Sequence, residues 1–503
     1  MAKELTILVS SPMWACSQVV PFAFIDLAAY MEMRGLSVEL LDVKRNPYSR
    51  QSRGLFKNVV NEILAKLERK KPAYVGLSCY TTDYWYCREL AERLKERIRT
   101  TIIVGGVHAT LKPEDFFYPQ SPFDVAVIGE GEGPLCEIVN RRDFGMNLED
   151  IKGIAFVKEE RLIRTPPSFF FRDLTHLPRP SYHLLDMEYY LQPHRDIVRA
   201  LVISGIHILT GRGCPYSCTF CANRAIYESQ GVRPIVRHRP IPQVIDTLKW
   251  FKNTYRLESF YIIDDTFTLP PRRAIEFCRQ YRQSGLDMVW AAETRVDLLD
   301  ETLVEELKKA RCVQLDFGVE SGSQAVLTRM KKGITVEETY KAFALCKEYK
   351  LRTFANIMFN TPGETAEDVM LTIQLMKKIK ADHYAIALTV PLPGSQLFDQ
   401  YIGKDNLTKE EYRIFSAPDL FQKIIDPRLR LASHTLNLNR LYIMVNLRFF
   451  LINSLIELTL AKWYWKTLFK SKRKLGYLKC FFLSFFKQIR TYIESVFSTF
   501  LKE

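Results

Sequence analysis

Residues 209–223 read Leu-Thr-Gly-Arg-Gly-Cys-Pro-Tyr-Ser-Cys-Thr-Phe-Cys-Ala-Asn, directly after the apolar run that begins at Ile206. Cys214, Cys218 and Cys221 have the spacing C-x3-C-x2-C in this glycine-rich loop. Thiolates so close in sequence can converge on one metal centre. Three thiolates are one ligand short of a closed zinc site, but they can hold a 4Fe–4S cluster with one iron left open. The alternatives are three buried cysteines, or a zinc site whose fourth ligand lies elsewhere in the chain, with His207 and His238 as the nearest candidates.

With the aromatic Phe220 just before its last cysteine, this loop resembles the signature of the radical S-adenosylmethionine (SAM) enzymes. The resemblance implies that Cys214, Cys218 and Cys221 bind three irons of a 4Fe–4S cluster. It also implies that the open iron binds the amino and carboxylate groups of SAM, and that Phe220 lies near the adenine. We therefore expect both a 4Fe–4S cluster and SAM as cofactors.

The 503 residues are too many for one hydrophobic core and predict two or three domains. The eleven cysteines are mostly scattered singly, which favours a reducing compartment over a disulfide framework. The apolar run near the N-terminus is too short for a secretory signal peptide. These features predict a cytoplasmic protein.

Residues 1–141 alternate five short apolar β-like runs with helical segments. This pattern predicts a parallel sheet covered on both faces, a doubly wound (Rossmann-like) α/β domain. Ligands of such sheets bind at the carboxyl ends of the strands, where glycine allows close approach and small hydroxyls can bond a polar group. The candidate binding residues in these loops are Ser10, Ser78, Thr81, Gly105, Gly106, His108, Gly129 and Glu130.

Two of these loops, G-G-x-H-x-x-x-x-P at 105–113 and I-G-E-G-E at 128–132, precede the cysteine loop. Together they resemble the cobalamin-binding domain of cobalamin-dependent radical SAM enzymes, and the domain order matches over about residues 1–400. The resemblance implies bound cobalamin. The D-x-H-x-x-G signature, whose histidine ligates cobalt, is absent, and no histidine precedes His108. His108 itself either contacts the cofactor or ties down its own turn.

Residues 142–200 predict a connector, with a hairpin at Ile151–Val157 and Leu162–Thr165 and an extended proline-rich stretch. Residues 201–400 contain six strand–helix units, which predict an open, partial (β/α)6 barrel of the TIM type. Polar residues follow its strands: Asp264, Asp265, Glu293, Arg295, Glu320 and Ser321. The resemblance places Asp264 and Asp265 at the SAM amino group, and Glu293, Arg295 and Glu320 at its ribose and carboxylate. Each could instead be a helix cap or a salt-bridge partner.

Residues 401–503 predict an α-helical tail. Nine of the fourteen net positive charges lie between 440 and 503, beside the aromatic runs Arg440–Trp465 and Tyr477–Phe486. Polar residues interrupt these runs, which argues against a spanning helix. The pattern fits either helices in the headgroup plane of a membrane or a bundle packed on the barrel. A nucleic-acid partner is not expected, because the aromatics form apolar blocks.

These features favour an enzyme that cleaves SAM and starts radical chemistry on an unactivated carbon, with methyl transfer through cobalamin as the leading hypothesis. Cyclisation or oxidative rearrangement without methylation remains an alternative, as does a non-catalytic metal-binding module. The tail suggests a hydrophobic, lipid-like small molecule as substrate, such as an isoprenoid or hopanoid, and contact of 430–503 with the inner membrane face. Flavodoxin or ferredoxin is the expected electron donor.

Overall fold

The structure, a computed structural model, describes residues 4–10, 18–43, 53–140, 147–168, 171–199, 201–403, 407, 409–416, 424, 426–446, 462–477 and 479–480. Its first sheet has the strand order β2-β1-β3-β4-β5-β6-β7. The strands are β1 Leu5–Val9, β2 Ser37–Leu41, β3 Tyr74–Ser78, β4 Thr101–Gly105, β5 Val125–Val127, β6 Ile154–Lys158 and β7 Arg161–Arg164. The helices are α1 Phe22–Met33, α2 Arg53–Lys70, α3 Tyr84–Lys95, α4 Val107–Leu111 and α5 Glu132–Asn140.

Strands β1 to β5 are parallel, and separate apolar clusters pack on the two faces of the sheet. The prediction of a doubly wound domain is therefore confirmed. Because β1 lies between β2 and β3, the strand order reverses there, and this is where such sheets bind ligands. The hairpin predicted in the connector is present as β6 and β7, but it pairs antiparallel with β5. The first sheet thus continues to Arg164, beyond the expected boundary at 141.

The second sheet is parallel, and its strands β10-β13-β14-β15-β16-β17 lie side by side in chain order. The six predicted strands and the open half-barrel are confirmed. They are β10 Gly205–Ile208, β13 Ser259–Ile262, β14 Val289–Thr294, β15 Cys312–Glu320, β16 Arg352–Phe359 and β17 His383–Leu388. The helices around them are α7 Asn223–Glu228, α8 Ile241–Tyr255, α9 Pro271–Gln283, α10 Glu301–Lys309, α11 Gln324–Arg329, α12 Val336–Glu348, α13 Ala366–Ile379 and α14 Gln396–Tyr401.

Two short strand pairs were not expected. After the helical turn α6 (Met187–Tyr190), strands β8 (His194–Val198) and β9 (Leu201–Ile203) form a hairpin. Its apolar side chains pack on the first residues of β14 and β15, so the hairpin forms a floor at the amino-terminal end of the barrel. The second pair joins β11 (Gly211–Arg212) to β12 (Arg237–His238) next to the cysteine loop.

Residues 462–477 of the tail pack on that same floor. Helix Lys462–Lys470 places Tyr464 in the hairpin cluster, and the Tyr477 hydroxyl donates to Glu258 at 2.6 Å. One of the two interpretations of the tail was a bundle packed on the barrel, and the helix Lys462–Lys470 does pack on the barrel. No helix among the described residues is both long and apolar enough to cross a membrane. Most of the predicted runs Arg440–Trp465 and Tyr477–Phe486 lies outside the described residues.

Candidate functional site

The carboxyl ends of the two sheets meet around a cavity of about 440 Å3. The first sheet contributes the end of β3 and the glycine loops after β4 and β5, and the barrel contributes the loop after β10 and Asp265. Six of the predicted cofactor-binding residues line it: Ser78, Gly105, Gly106, Gly129, Glu130 and Asp265. Gly211, Arg212 and Gly213, which lead directly into the cysteine loop, line the opposite wall. The two predicted cofactor regions therefore open onto one space.

The glycine loops suit a large planar ligand because they present bare backbone to the cavity. Gly106 has a φ of 92°, and a Cβ there would lie 2.8 Å from Ser78 Oγ and 2.9 Å from Cys79 N. None of the described lining residues is a histidine. The residues present thus fit a corrinoid that would be held by backbone and small side chains.

Three of the predicted residues lie elsewhere. Ser10 donates to Asp42 at 2.8 Å and accepts from Val43 N, so it anchors the end of β2. Thr81 is buried and bonds His108 Nδ1 at 3.0 Å. The His108 ring is fully buried, with Asp115 3.2 Å from Nε2. This geometry favours the turn-fixing role for His108, one of its two interpretations.

His108 also belongs to an aromatic cluster that joins the first domain to the chain after the barrel. Its ring centroid lies 5.2 Å from that of Tyr84, 5.6 Å from Phe116 and 5.2 Å from Tyr412. Edge-to-face aromatic packing at such distances stabilises an interface beyond the area that it buries. This contact fixes one side of the domain junction, and the sequence contained no local signal for it.

The cysteine loop is held in place from three directions. The Asp264 carboxylate accepts from Thr210 N (2.6 Å), Thr210 Oγ1 (2.5 Å) and Gly211 N (3.0 Å). Thr219 N donates to Met330 O, and Asn223 Nδ2 donates to Cys214 O. Burial raises the pKa of Asp264 to about 6, while its bonds to Thr210 and Gly211 favour the charged form. Asp264 is therefore a clamp on the loop, whereas its neighbour Asp265 faces the cavity.

The donor set of the loop suits three corners of an iron–sulfur cluster. Cys214 and Cys218 are half-buried and Cys221 is exposed. Among the described residues no three His, Cys, Asp or Glu side chains already stand in a metal-ligating arrangement. Burial raises the pKa of Cys218, but the Lys332 and Arg295 cations lower it, so charge is at hand to stabilise a thiolate. His207 packs against His194 and Tyr261 inside the barrel rather than in the loop.

The remaining strand-end residues surround the loop. Arg295 forks onto Asp297 (2.9 and 3.0 Å), and its guanidinium lies 3.6 Å from the Tyr216 ring centroid. Glu320 accepts from Lys332 Nζ at 2.7 Å, and Lys332 stands 6.0 Å from the Phe220 ring. The structure thus brings Phe220, Arg295 and Glu320 together beside Cys218.

Two strand-end residues are engaged differently. Ser321 is fully buried and bonds Thr372 Oγ1 at 3.0 Å, so it fixes the turn after β15. Glu293 Oε1 lies 3.1 Å from the Tyr261 hydroxyl inside the barrel, and the same hydroxyl lies 2.9 Å from Asp316. Burial, with Asp316 as the next cause, raises the pKa of Glu293 to about 7. Glu293 therefore faces a polar barrel interior that Asp316 and Arg199 share.

A set of six charged residues links the domains and was missed by sequence reasoning. The arginines Arg212, Arg237 and Arg239 precede or follow the cysteine loop, and the carboxylates Asp26, Glu130 and Glu132 belong to the first domain. All five contacts measure 2.7–3.3 Å. The partners are 80 to 213 residues apart in sequence, so no local pattern could have paired them. We call this set the interdomain ion network.

Known proteins show the same two domains. Residues 208–376 match the radical SAM superfamily, and residues 18–139 match the B12 binding domain. An uncharacterized methyltransferase of Pyrococcus horikoshii is 28% identical over 375 residues, 74% of this chain and 78% of that protein. The anaerobic magnesium-protoporphyrin IX monomethyl ester cyclase of Rubrivivax gelatinosus is 26% identical over 477 residues, 92% of this chain and 78% of the cyclase.

Among solved structures, the radical SAM methyltransferase TsrM of Kitasatospora setae, with cobalamin and a [4Fe-4S] cluster bound, has the same fold. The TM-score is 0.63 at 20% identity, over 80% of this chain and 78% of TsrM. The chain is therefore a radical SAM protein with a B12-binding domain. It is homologous to the cobalamin-dependent radical SAM methyltransferases and to magnesium-protoporphyrin monomethyl ester cyclase, and its cofactors are a 4Fe–4S cluster, SAM and cobalamin.

Proposed function

We propose that the protein transfers a methyl group to an unactivated carbon of a small molecule. The observation that carries this proposal is the shared cavity, in which the glycine loops of the B12-binding domain face the entrance to the cysteine loop. When bound, the cluster and SAM supply a carbon radical and cobalamin supplies the methyl group, while the protein positions the reactants and excludes water.

The proposal assigns separate tasks to the residues around the cavity. Cys214, Cys218 and Cys221 would hold three irons of the cluster, and Phe220 would flank the adenine of SAM. Asp265, which faces the cavity, would hold the SAM amino group, and Arg295 and Glu320 would lie near its carboxylate and ribose. Ser78, Gly105, Gly106, Gly129 and Glu130 would contact cobalamin. We propose domain boundaries at residues 200 and 400, with the hairpin up to Arg164 counted with the first domain.

We further propose that the substrate combines a polar group with a hydrophobic remainder. The barrel interior, with Glu293, Asp316 and Arg199, favours a substrate that has at least one polar group. The tail supports a hydrophobic remainder: Trp465 is 39%, Phe469 69% and Leu475 84% exposed, with lysines between them. Aromatic and cationic side chains in this arrangement suit the headgroup region of an anionic membrane. A lipid-like substrate collected at that surface is therefore the form that we propose.

The net charge of +14 favours an acidic electron donor, and flavodoxin or ferredoxin is proposed for that role.

Liposome flotation tests the membrane contact: the full-length protein should float with anionic vesicles, and a variant lacking 430–503 should not. Equal flotation of both proteins would remove the support for a lipid-like substrate.

A second function, radical ring closure without methylation, is favoured by the cyclase homologue that spans 92% of this chain. The two functions differ in their products. Methyl transfer consumes one SAM for the radical and one for the methyl group, so 5′-deoxyadenosine and S-adenosylhomocysteine should form together. Cyclisation yields 5′-deoxyadenosine alone. The experiment is anaerobic turnover of the reconstituted protein with dithionite and SAM, with the Cys214→Ala variant as control. If the wild-type protein formed neither product, both proposed functions would be refuted.

A further inference from the structure

Arg212 joins the interdomain ion network to the start of the cysteine loop. It lies in β11, one residue before Gly213 and two before the first cysteine. Its guanidinium meets three carboxylates of the B12-binding domain: Glu132 at 2.7 Å, Asp26 at 2.9 Å and Glu130 at 3.3 Å. The side chain that introduces the cluster loop is therefore fixed to the other domain.

Arg212 contacts all three carboxylates of this network, and the neighbouring arginines pair with two of them. Arg237 forks onto Glu130 at 2.8 and 3.0 Å, and Arg239 pairs with Asp26 at 2.9 Å. In the part of the chain that the structure describes, Glu132 pairs only with Arg212. The Glu132 side chain is 4% exposed and the Arg212 side chain is 16% exposed. Water can therefore hydrate these charges only slightly when their contact is lost.

The network also forms part of the cavity wall. Arg212 and all three of its carboxylate partners line the cavity in which the glycine loops present their backbone. A ligand that fills the cavity therefore touches the same groups that hold the start of the cysteine loop. Ordering of these groups by one cofactor lowers the cost of ordering them for the other.

We propose that Arg212 couples the two cofactor sites, so that a cluster in the cysteine loop strengthens cobalamin binding and cobalamin stabilises the cluster in return. The inference depends on the proposed function for the placing of cobalamin in the cavity and of the cluster on the three cysteines. Coupling of this kind is reciprocal and typically changes an affinity by about 5- to 150-fold. Arg212 acts here as a positioning residue, since it acts through the loop.

The test measures the affinity for hydroxocobalamin by equilibrium dialysis, with cluster-loaded and cluster-free protein. The wild-type protein should bind at least about fivefold more tightly when loaded. In Arg212→Gln the two affinities should be equal, and Arg212→Lys, which keeps the charge without the fork, should lie between. The control is Arg224→Gln, because Arg224 and its partner Glu228 are an exposed pair on α7 of the same region. Its ratio should match the wild-type ratio.

Glu132→Gln serves as a second route if Arg212→Gln does not fold, since it removes the negative charge from the shortest of the three contacts while Arg212 stays in place. Equal affinities in the wild-type protein, or a wild-type ratio in both network variants, would overturn the coupling while leaving the proposed function intact. Failure of loaded wild-type protein to bind hydroxocobalamin at all would instead remove the proposed function and the coupling with it.

Discussion

The Tyr261 hydroxyl lies between two carboxyl groups, 3.1 Å from Glu293 Oε1 and 2.9 Å from Asp316 Oδ2. A phenol has a single hydrogen, so it cannot donate to both when both are ionised. Asp316 has two further donors, Gln314 Nε2 at 2.7 Å and Arg199 Nε at 3.1 Å. We therefore expect Asp316 to be charged and Glu293 to carry a proton near neutral pH.

Replacement of Glu293 by glutamine tests this assignment, because the amide keeps the shape and cannot ionise. Burial, followed by Asp316, raises the pKa of Glu293 from 4.5 to about 7. The pKa of Glu293 is therefore higher in the folded protein than in the unfolded protein. The stabilisation that protonated Glu293 contributes is complete below pH 4.5 and is lost as the pH rises through about 7. The shift corresponds to about 3 kcal/mol, which partial exposure of Glu293 reduces to about 2 kcal/mol.

The free energy of unfolding, measured by urea titration with tryptophan fluorescence, should therefore depend on pH differently in the two proteins. Relative to the wild type, Glu293→Gln should gain about 2 kcal/mol between pH 4.5 and pH 8. Glu348→Gln is the control, since Glu348 is exposed at the end of α12. A Glu293→Gln difference that is the same at every pH would refute the shared-hydroxyl argument.

Three further changes have defined outcomes. Gly213→Ala places a Cβ 1.7 Å from the Tyr227 hydroxyl at a φ of 96°, so iron bound per chain should fall several-fold; undiminished iron would contradict the loop geometry. The side-chain amide of Asn360 is fully buried and makes four hydrogen bonds, to the backbone of Leu429, Thr389, Leu431 and Ala432. Asn360→Ala should therefore lower the free energy of unfolding in urea by about 1–3 kcal/mol. A loss within the error of measurement would be inconsistent with this bonding. Tyr477→Phe removes the hydroxyl that accepts from Ser204 N at 3.0 Å and donates to Glu258. The substitution should lower the Tm of the barrel by a few degrees. An unchanged Tm would show that these contacts of the tail do not stabilise the barrel.

The positions of the sheet strands were predictable because parallel strands are buried on both faces and read as apolar runs. The hairpin β8–β9 was not, since His194, Asp196 and Arg199 interrupt its apolar residues and it follows a proline-rich stretch. It is recognisable only from its contacts with the amino ends of β14 and β15.

The sequence could place polar residues at the carboxyl edge of the barrel, but it could not show what each side chain faces. Asp264 and Asp265 are adjacent, yet one clamps the cysteine loop and the other lines the cavity. His108 and Thr81 bond each other in the first domain rather than facing the cavity. Such differences depend on contacts between distant segments, as does the pairing of Arg212 with Asp26, 186 residues away.

We propose that Cys214, Cys218 and Cys221 hold a 4Fe–4S cluster whose fourth iron is open to SAM beside a cobalamin site. The EPR spectrum of the reduced, reconstituted protein, recorded with and without SAM, tests this arrangement. We expect a cluster signal that changes when SAM is added and that is absent when the three cysteines are replaced by alanine. A cluster signal that SAM leaves unchanged, or one that survives the triple substitution, would contradict it.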